Sequence, residues 1–178
     1  MLLNKLAVLD KGYVALISSS NDSERLKEIS EEFFGLSKPN PKMLKLGTMT
    51  IAMKCPLFVH VHMAQYGLAI MNTKPSPETE AYCPNPGEVG SKDLETSRAI
   101  ADDISRTTEA LLINTKAYQA DGCNRFLSHI IMPISTYTTI LVSGTYEEWS
   151  RFTGHAGLPA PIEAYRMTVQ QVLDVEWK

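Results

Sequence analysis

Runs of β-branched and aromatic residues, and in one segment the alternation of apolar residues with others, mark three strands along the chain. The first lies in LAVLDKGYVALISS (residues 6–19), which is rich in β-branched and aromatic residues. The second is MTIAMK (residues 49–54), whose Met49, Ile51 and Met53 share a face because successive strand side chains point to opposite sides. The third, TYTTILVSG (residues 136–144), has the clearest strand composition. These segments predict a small sheet.

Helical spacing of apolar residues accounts for most of the remaining chain. The predicted helices cover residues 21–34, Pro56 to about Met71, Ser91 to Gly122, 123–132, 146–154 and 159–173. The boundaries rest on N-caps at Asn21 and Ser91, a stop at Pro133 and a Thr145/Glu148 capping box before residue 146. The long helix that begins at Ser91 has Ile100, Ile104, Leu111 and Tyr118 along one face. Helices and strands mix without strict β-α-β alternation, so we expect an α+β fold. At 178 residues, the chain is expected to form a single domain over residues 1–178.

Two neighbouring segments are unusual. The helix predicted to begin at Pro56 is apolar nearly all round, which indicates burial on more than one side. Residues 72–90 contain four prolines and two glycines, so we expect a long loop without regular structure. Loops of this length inside a compact domain tend to be functional or disordered.

Charge and cysteine content narrow the functional classes. The net charge of −3 argues against a nucleic-acid partner, since binding a phosphate backbone requires a cationic surface. No apolar run is long enough to span a membrane, and the N-terminal residues lack the apolar core of a signal peptide. The three cysteines form no CxxC motif and are expected to be free thiols. These features predict a cytoplasmic protein.

The residues on their own do not specify a reaction. His60 and His62 resemble a metal pair, but two residues apart on a helix they would not share a face, so packed or hydrogen-bonded histidines are the better interpretation and no metal is predicted. Glu78 and Glu80 are read as part of a solvated loop, and Glu163 as a helix-dipole residue. No glycine-rich phosphate loop or nucleophile elbow occurs.

The order of the segments carries further information. LDKGYVALISSSNDSERLKEIS, then MTIAMKCPLFVHVHMAQYG, a loop ending in Tyr82, FLSHIIMPISTYTTILVSGTYEEWSRF and APIEAYRMTV together resemble the flavin-dependent thymidylate synthases. The resemblance is colinear from about Leu9 to Leu173. Its most specific parts are LDKGYV, MPISTYT, the following helix with RF, and IEAY.

This resemblance implies mixed helices around a small sheet, with active sites assembled from several subunits of a homotetramer around FAD. Such enzymes transfer a one-carbon unit from methylenetetrahydrofolate to C5 of dUMP, with reduced flavin as hydride donor and NADPH as a possible co-substrate. They use no covalent protein nucleophile, so the protein positions the reactants and no catalytic residue is assigned here.

The chain departs from the family at its cationic positions. The family's Arg-His-Arg motif aligns with Gln65, Tyr66 and Gly67, and the Ser and Arg of its Ser-x-Arg-Tyr motif align with Thr79 and Ala81. Further family positions hold other residues here: His129 and Ala156 stand where the family has arginines, and Gly144 where it has an asparagine. Several charge-assisted phosphate contacts, each worth roughly 1.5–3 kcal/mol, would thereby be lost.

The resemblance nevertheless yields a set of candidate residues. Gln65, Tyr66, Gly67 and Arg151 are expected to bind the cofactor. Thr79, Tyr82, Arg125 and His129 are expected to bind the substrate, with Arg125 one helical turn from His129 and so placed to replace a missing arginine.

Three functions remain open. The first is a divergent FAD enzyme that transfers a one-carbon unit or a hydride to dUMP or a related pyrimidine nucleotide. The second is a non-catalytic homologue that binds flavin or nucleotide, or that has a structural or interaction role. The third is altered chemistry on a less charged substrate, such as a nucleoside. Preservation of the scaffold favours the first, and the loss of charge favours the second.

Overall fold

A computed structural model of the chain describes residues 5–20, 31, 32, 47–72 and 80–176; for residues 72, 125 and 126 the description covers the backbone alone. The predicted helix over residues 21–34 lies outside these ranges except for residues 31 and 32, which are helical. None of the described helices is long and apolar enough to cross a membrane.

The described strands form one antiparallel sheet. They are β1 (Lys5–Val8), β2 (Gly12–Ser19), β3 (Thr48–Pro56), β4 (Ala69–Asn72) and β5 (Tyr137–Thr145), in the spatial order β1-β2-β3-β5-β4. The central pair, β3 and β5, matches Thr48 with Thr145 at one end and Pro56 with Tyr137 at the other. Both were predicted, because their β-branched and alternating composition suits a strand that is paired on both edges.

The N-terminal strand prediction is wrong in its extent, because residues 6–19 hold two strands and a tight turn. β1 and β2 pair antiparallel from Lys5↔Ala15 to Val8↔Gly12, with only residues 9–11 between them. Leu9 takes a left-handed conformation with φ of 57°. The hydroxyl of Tyr137 donates a 2.6 Å hydrogen bond to Asp10 in this turn. The turn is therefore tied to the end of β5.

Helices lie around the sheet. They are α1 (Leu57–Met63), α2 (Pro86–Val89), α3 (Leu94–Ala120), α4 (Arg125–His129), α5 (Tyr146–Thr153) and α6 (Ala160–Glu176). α5 packs on β5, and α6 packs on β1 and β2. Met49, Ile51 and Met53 are fully buried, as their alternation predicts. Trp149 on α5 is also fully buried and donates an indole hydrogen bond of 3.1 Å to the Met49 carbonyl. This arrangement confirms the α+β class.

The helix predicted from Pro56 to Met71 is wrong beyond Met63. A single 3₁₀ turn (Ala64–Tyr66) follows α1, and Gly67 then adopts φ of 82°, which ends helical structure. The chain continues as β4, which pairs with β5 from Ala69↔Ser143 to Asn72↔Ile140. Burial of this segment is also uneven, since Val59 and Met63 are buried whereas Val61 is 57% exposed.

Two further boundaries differ from the predictions. Residues 72–90 are not wholly irregular, because α2 lies within them and carries a capping box formed by Asn85 and Glu88. The N-cap of α3 is Asp93 rather than Ser91; its carboxylate accepts a 2.8 Å hydrogen bond from the Thr96 amide. The capping box predicted for Thr145 and Glu148 at the start of α5 is confirmed.

The long helix α3 buries an unexpected face. Its buried residues are small or polar: Ser97, Ala101, Thr108 and Thr115. The predicted apolar stripe is largely accessible in the single chain, with Ile100 39% and Tyr118 48% exposed. The apolar side of this helix is therefore not covered by the described parts of its own chain.

Candidate functional site

The candidate site is built around the turn between α1 and β4. Gln65 is exposed and Tyr66 is half-buried, while the left-handed Gly67 directs the chain back into the sheet. Because β4 pairs with β5 immediately afterwards, the position of this turn is fixed relative to the centre of the sheet. These are the three positions at which the sequence lacks the charged motif of the similar family.

Helix α5 brings a cation to the same turn. A Cβ placed on Gly67 would lie 3.6 Å from Nη2 of Arg151 and 3.5 Å from Oε1 of Glu148. Tyr66 contacts the next residue of α5, with its ring centroid 5.4 Å from that of Phe152. The structure thus places the four predicted cofactor residues, Gln65 through Gly67 and Arg151, on one small surface. Their role in binding stays a prediction.

Two histidines complete this surface. His62 lies one turn before Tyr66 on the same side of the helix, and its Nε2 is 3.0 Å from the Tyr66 hydroxyl. His155, just after α5, lies against both rings, with centroids 6.0 Å from Tyr66 and 6.3 Å from His62. We call His62, Tyr66, Arg151 and His155 the turn cluster.

Sequence reasoning missed His155. Its signal would have been the short His-Ala-Gly segment after an amphipathic helix, but nothing in the spacing connects that segment to His62. Only the packing of α5 against the 3₁₀ turn brings them together.

The environment of the turn cluster disfavours charge on His62. Burial lowers the pKa of His62, and the neighbouring His155 lowers it further. Burial raises the pKa of Tyr66, so its hydroxyl stays protonated at neutral pH. The hydrogen bond between these residues therefore joins a neutral imidazole and a phenol, with the phenol as donor when Nε2 carries no proton.

Glu148 and Arg151, the two charged residues of α5 that approach Gly67, differ in their contacts. Oε2 of Glu148 accepts hydrogen bonds from the Thr145 amide and hydroxyl, at 2.7 and 3.0 Å. Within the described part of the chain, the Arg151 guanidinium has neither a hydrogen bond nor an ion pair, and Arg151 is exposed. Glu148 is thus engaged in capping the helix, whereas Arg151 is available to a ligand.

His60 belongs to a different environment from His62. Its Nδ1 is buried without a hydrogen-bond partner, and burial lowers its pKa. Across the described ranges, no group of three or more His, Cys, Asp or Glu side chains is placed to hold a metal ion.

Tyr82, a predicted substrate residue, is buried and already bonded. Its hydroxyl donates a 2.8 Å hydrogen bond to Glu88, and its ring meets Phe58 edge-on with centroids 6.0 Å apart. Burial, followed by the bond to Glu88, raises the pKa of Tyr82 well above its usual value. The nearby Glu80 pairs with Lys54 at 2.6 Å, so it is less free than a solvated loop residue. Tyr82 here anchors the end of the 72–90 segment to α1.

The other predicted substrate residues are placed less fully. Thr79 and Glu78 lie outside the described residues, as does the side chain of Arg125 at the start of α4. His129 is the last residue of α4 and is half-buried. α4 packs on α3, with Gln119 donating a 3.1 Å hydrogen bond to Ser128. His129 and the backbone of Arg125 therefore lie on a different helix pair from the turn cluster.

A groove among the described residues lies elsewhere. It has a volume of about 640 Å³ between α5 and α6 and is lined by Tyr146, Ser150, Thr153, Gly154, Gln170, Leu173 and Asp174. Tyr66 and its ring partners are not among these residues, so the groove and the turn cluster are separate features. The turn cluster is the candidate site because it combines two imidazoles, a phenol and a guanidinium on one surface.

Near α6, Glu163 is more than a helix-dipole residue. It forms an ion pair of 2.6 Å with Arg166, and Arg166 also donates to the Thr153 carbonyl at the end of α5. This pair joins α6 to the segment that leads into His155.

No family model matches the chain, and no curated protein matches it. Among solved structures, the chain is similar to a UMP/dUMP methylase, PolB, from Streptomyces cacaoi, bound with 5-Br dUMP. The two share a TM-score of 0.70 at 13% sequence identity, over 96% of this chain and 92% of that chain. This similarity shows a common fold and supports the thymidylate synthase-like fold implied by the sequence resemblance.

Proposed function

We propose that this protein binds a pyrimidine nucleotide and FAD and transfers a one-carbon unit or a hydride to C5 of the pyrimidine. The observation that carries the proposal is the approach of Arg151 of α5 to Gly67, in the same turn as Gln65 and Tyr66. The fold adds support, because the structurally similar protein is a UMP/dUMP methylase bound with a dUMP analogue.

The residues of the turn cluster fit a flavin nucleotide. Tyr66 provides an aromatic ring for stacking, Gly67 has no side chain to block close approach, and the exposed Arg151 offers a guanidinium that matches phosphate oxygens. Reduced FAD would supply the hydride, with NADPH as its reductant and methylenetetrahydrofolate as the one-carbon donor. The chain's own contribution is to bind and orient these reactants and to exclude water from them.

A homotetramer forms part of this proposal. The support is the apolar side of α3, where Ile100, Ile104 and Tyr118 are between 38% and 48% exposed in the single chain. Burying such a stripe between subunits would stabilise an assembly. Light scattering tests the predicted state directly.

The first experiment measures flavin binding. Purified protein mixed with FAD should show an oxidised-flavin absorption band after gel filtration, and Arg151→Gln should weaken FAD binding by about tenfold, the usual worth of one charge-assisted phosphate contact. Arg106→Gln is the matched control, since Arg106 is exposed and its described contacts are a long 3.7 Å ion pair with Asp103 and a 3.4 Å hydrogen bond to the Asp102 carbonyl. Equal loss of affinity in both variants would contradict the assignment of Arg151.

The second experiment measures the reaction. Protein, FAD, NADPH, methylenetetrahydrofolate and dUMP should yield dTMP, or a C5-modified relative when UMP or deoxyuridine replaces dUMP. Flavin binding without any C5-modified product would favour the non-catalytic alternative. That alternative is supported by the absence of charge at residues 65–67, where the similar family carries its cationic motif.

A further inference from the structure

The turn cluster contains two imidazoles with spare hydrogen-bonding capacity. His62 uses Nε2 toward Tyr66 at 3.0 Å, which leaves Nδ1 for another partner. His155 is exposed, and its described contacts are edge-on ring contacts with His62 and Tyr66. Edge-to-face packing with centroids 6.3 Å apart holds the two imidazoles beside one another without stacking them.

The surrounding charges favour an anion. Tyr66 of the 3₁₀ turn lies against both histidines. Arg151 and Glu148 of α5 approach Gly67 in the same turn, and Arg166 of α6 bonds to the Thr153 carbonyl at the end of α5. Glu148 is bonded to the N-terminus of α5, and Arg166 is paired with Glu163. Arg151 is the charged group of this set that lacks a described partner, and a guanidinium in that situation attracts a phosphate.

His62 resists charging unless an anion sits beside it. Burial lowers the pKa of His62, and the neighbouring His155 lowers it further. A phosphate reverses both effects, because it accepts a hydrogen bond from the protonated ring and neutralises its charge. His62 is thus neutral without ligand and cationic with it.

We propose that His62 and His155, together with Arg151, hold the phosphate of the bound nucleotide and take up protons when it binds. This inference rests on the proposed function, since it assigns a ligand group to the same site. Both candidate ligands carry the required chemistry: dUMP has a phosphate monoester, and FAD has a diphosphate. No bond is made or broken in this step, and the protons come from solvent.

The sign of the pH dependence follows from linkage. Binding of the phosphate raises the pKa of the histidines. The affinity contributed by their protonation is therefore fully present at pH values below the histidine pKa in the free protein. It is lost as pH rises through the histidine pKa in the complex. A phosphate monoester has its own second pKa near 6, and its extra charge strengthens binding as pH rises. A net loss of affinity with rising pH therefore reports the histidines rather than the ligand.

The direct test is an NMR titration of the imidazole protons, which requires no substitution. The protein has only four histidines, so each can be followed separately. The pKa values of His62 and His155 should rise when dUMP or FAD is added, whereas the pKa of His60 should not change. A shift confined to His129 would place the phosphate at α4 and overturn the inference.

Calorimetry across pH gives the affinity. Binding of the phosphate ligand should weaken at least about tenfold between about pH 6 and about pH 8, while His155→Gln and His62→Gln should flatten this dependence to less than about twofold. Arg106→Gln should keep the profile of the unmodified protein. Circular dichroism checks that each variant is folded.

Two pairs of ligands identify the source of the phosphate. If dUMP shows the pH dependence and deoxyuridine does not, the site holds the substrate phosphate; the same contrast between FAD and riboflavin assigns it to the cofactor. Equal profiles for both members of each pair would overturn the inference, as would failure of both dUMP and FAD to bind. Failure of this inference can be distinguished from failure of the proposed reaction. If the histidine pKa values rise on ligand binding but no product forms, only the proposed reaction is refuted.

Discussion

Replacing Gly12 with alanine tests how the N-terminal hairpin is held to the body of the protein. A Cβ on Gly12 would overlap the Tyr165 hydroxyl and would lie 2.7 Å from the Val8 carbonyl oxygen and 2.8 Å from that of Lys54. The two carbonyls belong to the backbone of β1 and β3 and cannot move independently of the sheet. Gly12 lies in LDKGYV, one of the most specific parts of the sequence resemblance.

The magnitude follows from two effects. Forcing one carbon into a filled site costs about 1–3 kcal/mol. Displacing Tyr165 also breaks its 2.6 Å hydrogen bond to the Lys54 carbonyl, and leaving a buried partner unpaired costs about 1–3 kcal/mol. We expect Gly12→Ala to lower the free energy of unfolding by about 3–5 kcal/mol, which is a large fraction of the total for a typical domain.

Urea unfolding followed by tryptophan fluorescence at a fixed protein concentration measures this change. With a slope of about 2–3 kcal/mol per molar urea, the midpoint should fall by roughly 1–2 M. Gly87→Ala is the matched control, because a Cβ there meets no atom within 4 Å and should leave the midpoint unchanged.

Tyr165→Phe separates the two contributions to the effect of Gly12→Ala. It should cost only the hydrogen bond, and the double variant should be more stable than the sum of the single changes, since the overlap with the hydroxyl is gone. A Gly12→Ala protein within about 0.5 kcal/mol of the unmodified one would refute the reasoning.

Three further predictions follow from individual sites. Gly144→Ala should lower the free energy of unfolding by about 1–3 kcal/mol in the same assay, because a Cβ would overlap a methyl group of Leu68; an unchanged midpoint would contradict this packing. Burial raises the pKa of the Cys55 thiol to about 12. Cys55 should therefore be the last of the three thiols to react with a disulfide reagent at neutral pH. A fast reaction of Cys55 in the folded protein would disprove its burial. Hydrogen bonding to Arg166 lowers the pKa of the Glu163 carboxyl from its usual 4.5, so this group stabilises the fold above that pH and the contribution is lost as pH falls through the lowered pKa. The difference in urea midpoint between Glu163→Gln and the unmodified protein should therefore shrink toward about pH 3, and a constant difference would argue against the ion pair.

The strands and helices whose own residues specify one type of secondary structure could be predicted from the sequence. β3 has alternating apolar residues, β5 is rich in β-branched residues, and α5 has a capping box whose two members are both needed to satisfy backbone amides. The sequence-based predictions were wrong where an apolar run is compatible with either a helix or a strand. Residues 56–71 have too few polar positions to distinguish helix from strand, and the left-handed Gly67 decides the change from α1 to β4. In the hairpin, residues 9–11 are too short an interruption to break the apparent pattern of one strand.

The candidate site was predictable only in part. Resemblance identified Gln65, Tyr66, Gly67 and Arg151, and the structure brings them together. Their proximity could not be read from the chain, because it depends on α5 packing against a turn that is distant in sequence. His155 shows the limit more clearly, since its only relation to His62 is a contact between two rings in space.

The turn between α1 and β4 also has a consequence for how this fold can change. Only Gly67 is constrained by its backbone conformation there, while Gln65 points to solvent and Tyr66 is only half-buried. The pairing of β4 with β5 fixes the far side of the turn without using either side chain. Gln65 is thus open to substitution at little risk to the scaffold, whereas Tyr66 also packs against Phe152. New ligand preferences could be selected there in the laboratory, just as a lineage could acquire them one residue at a time.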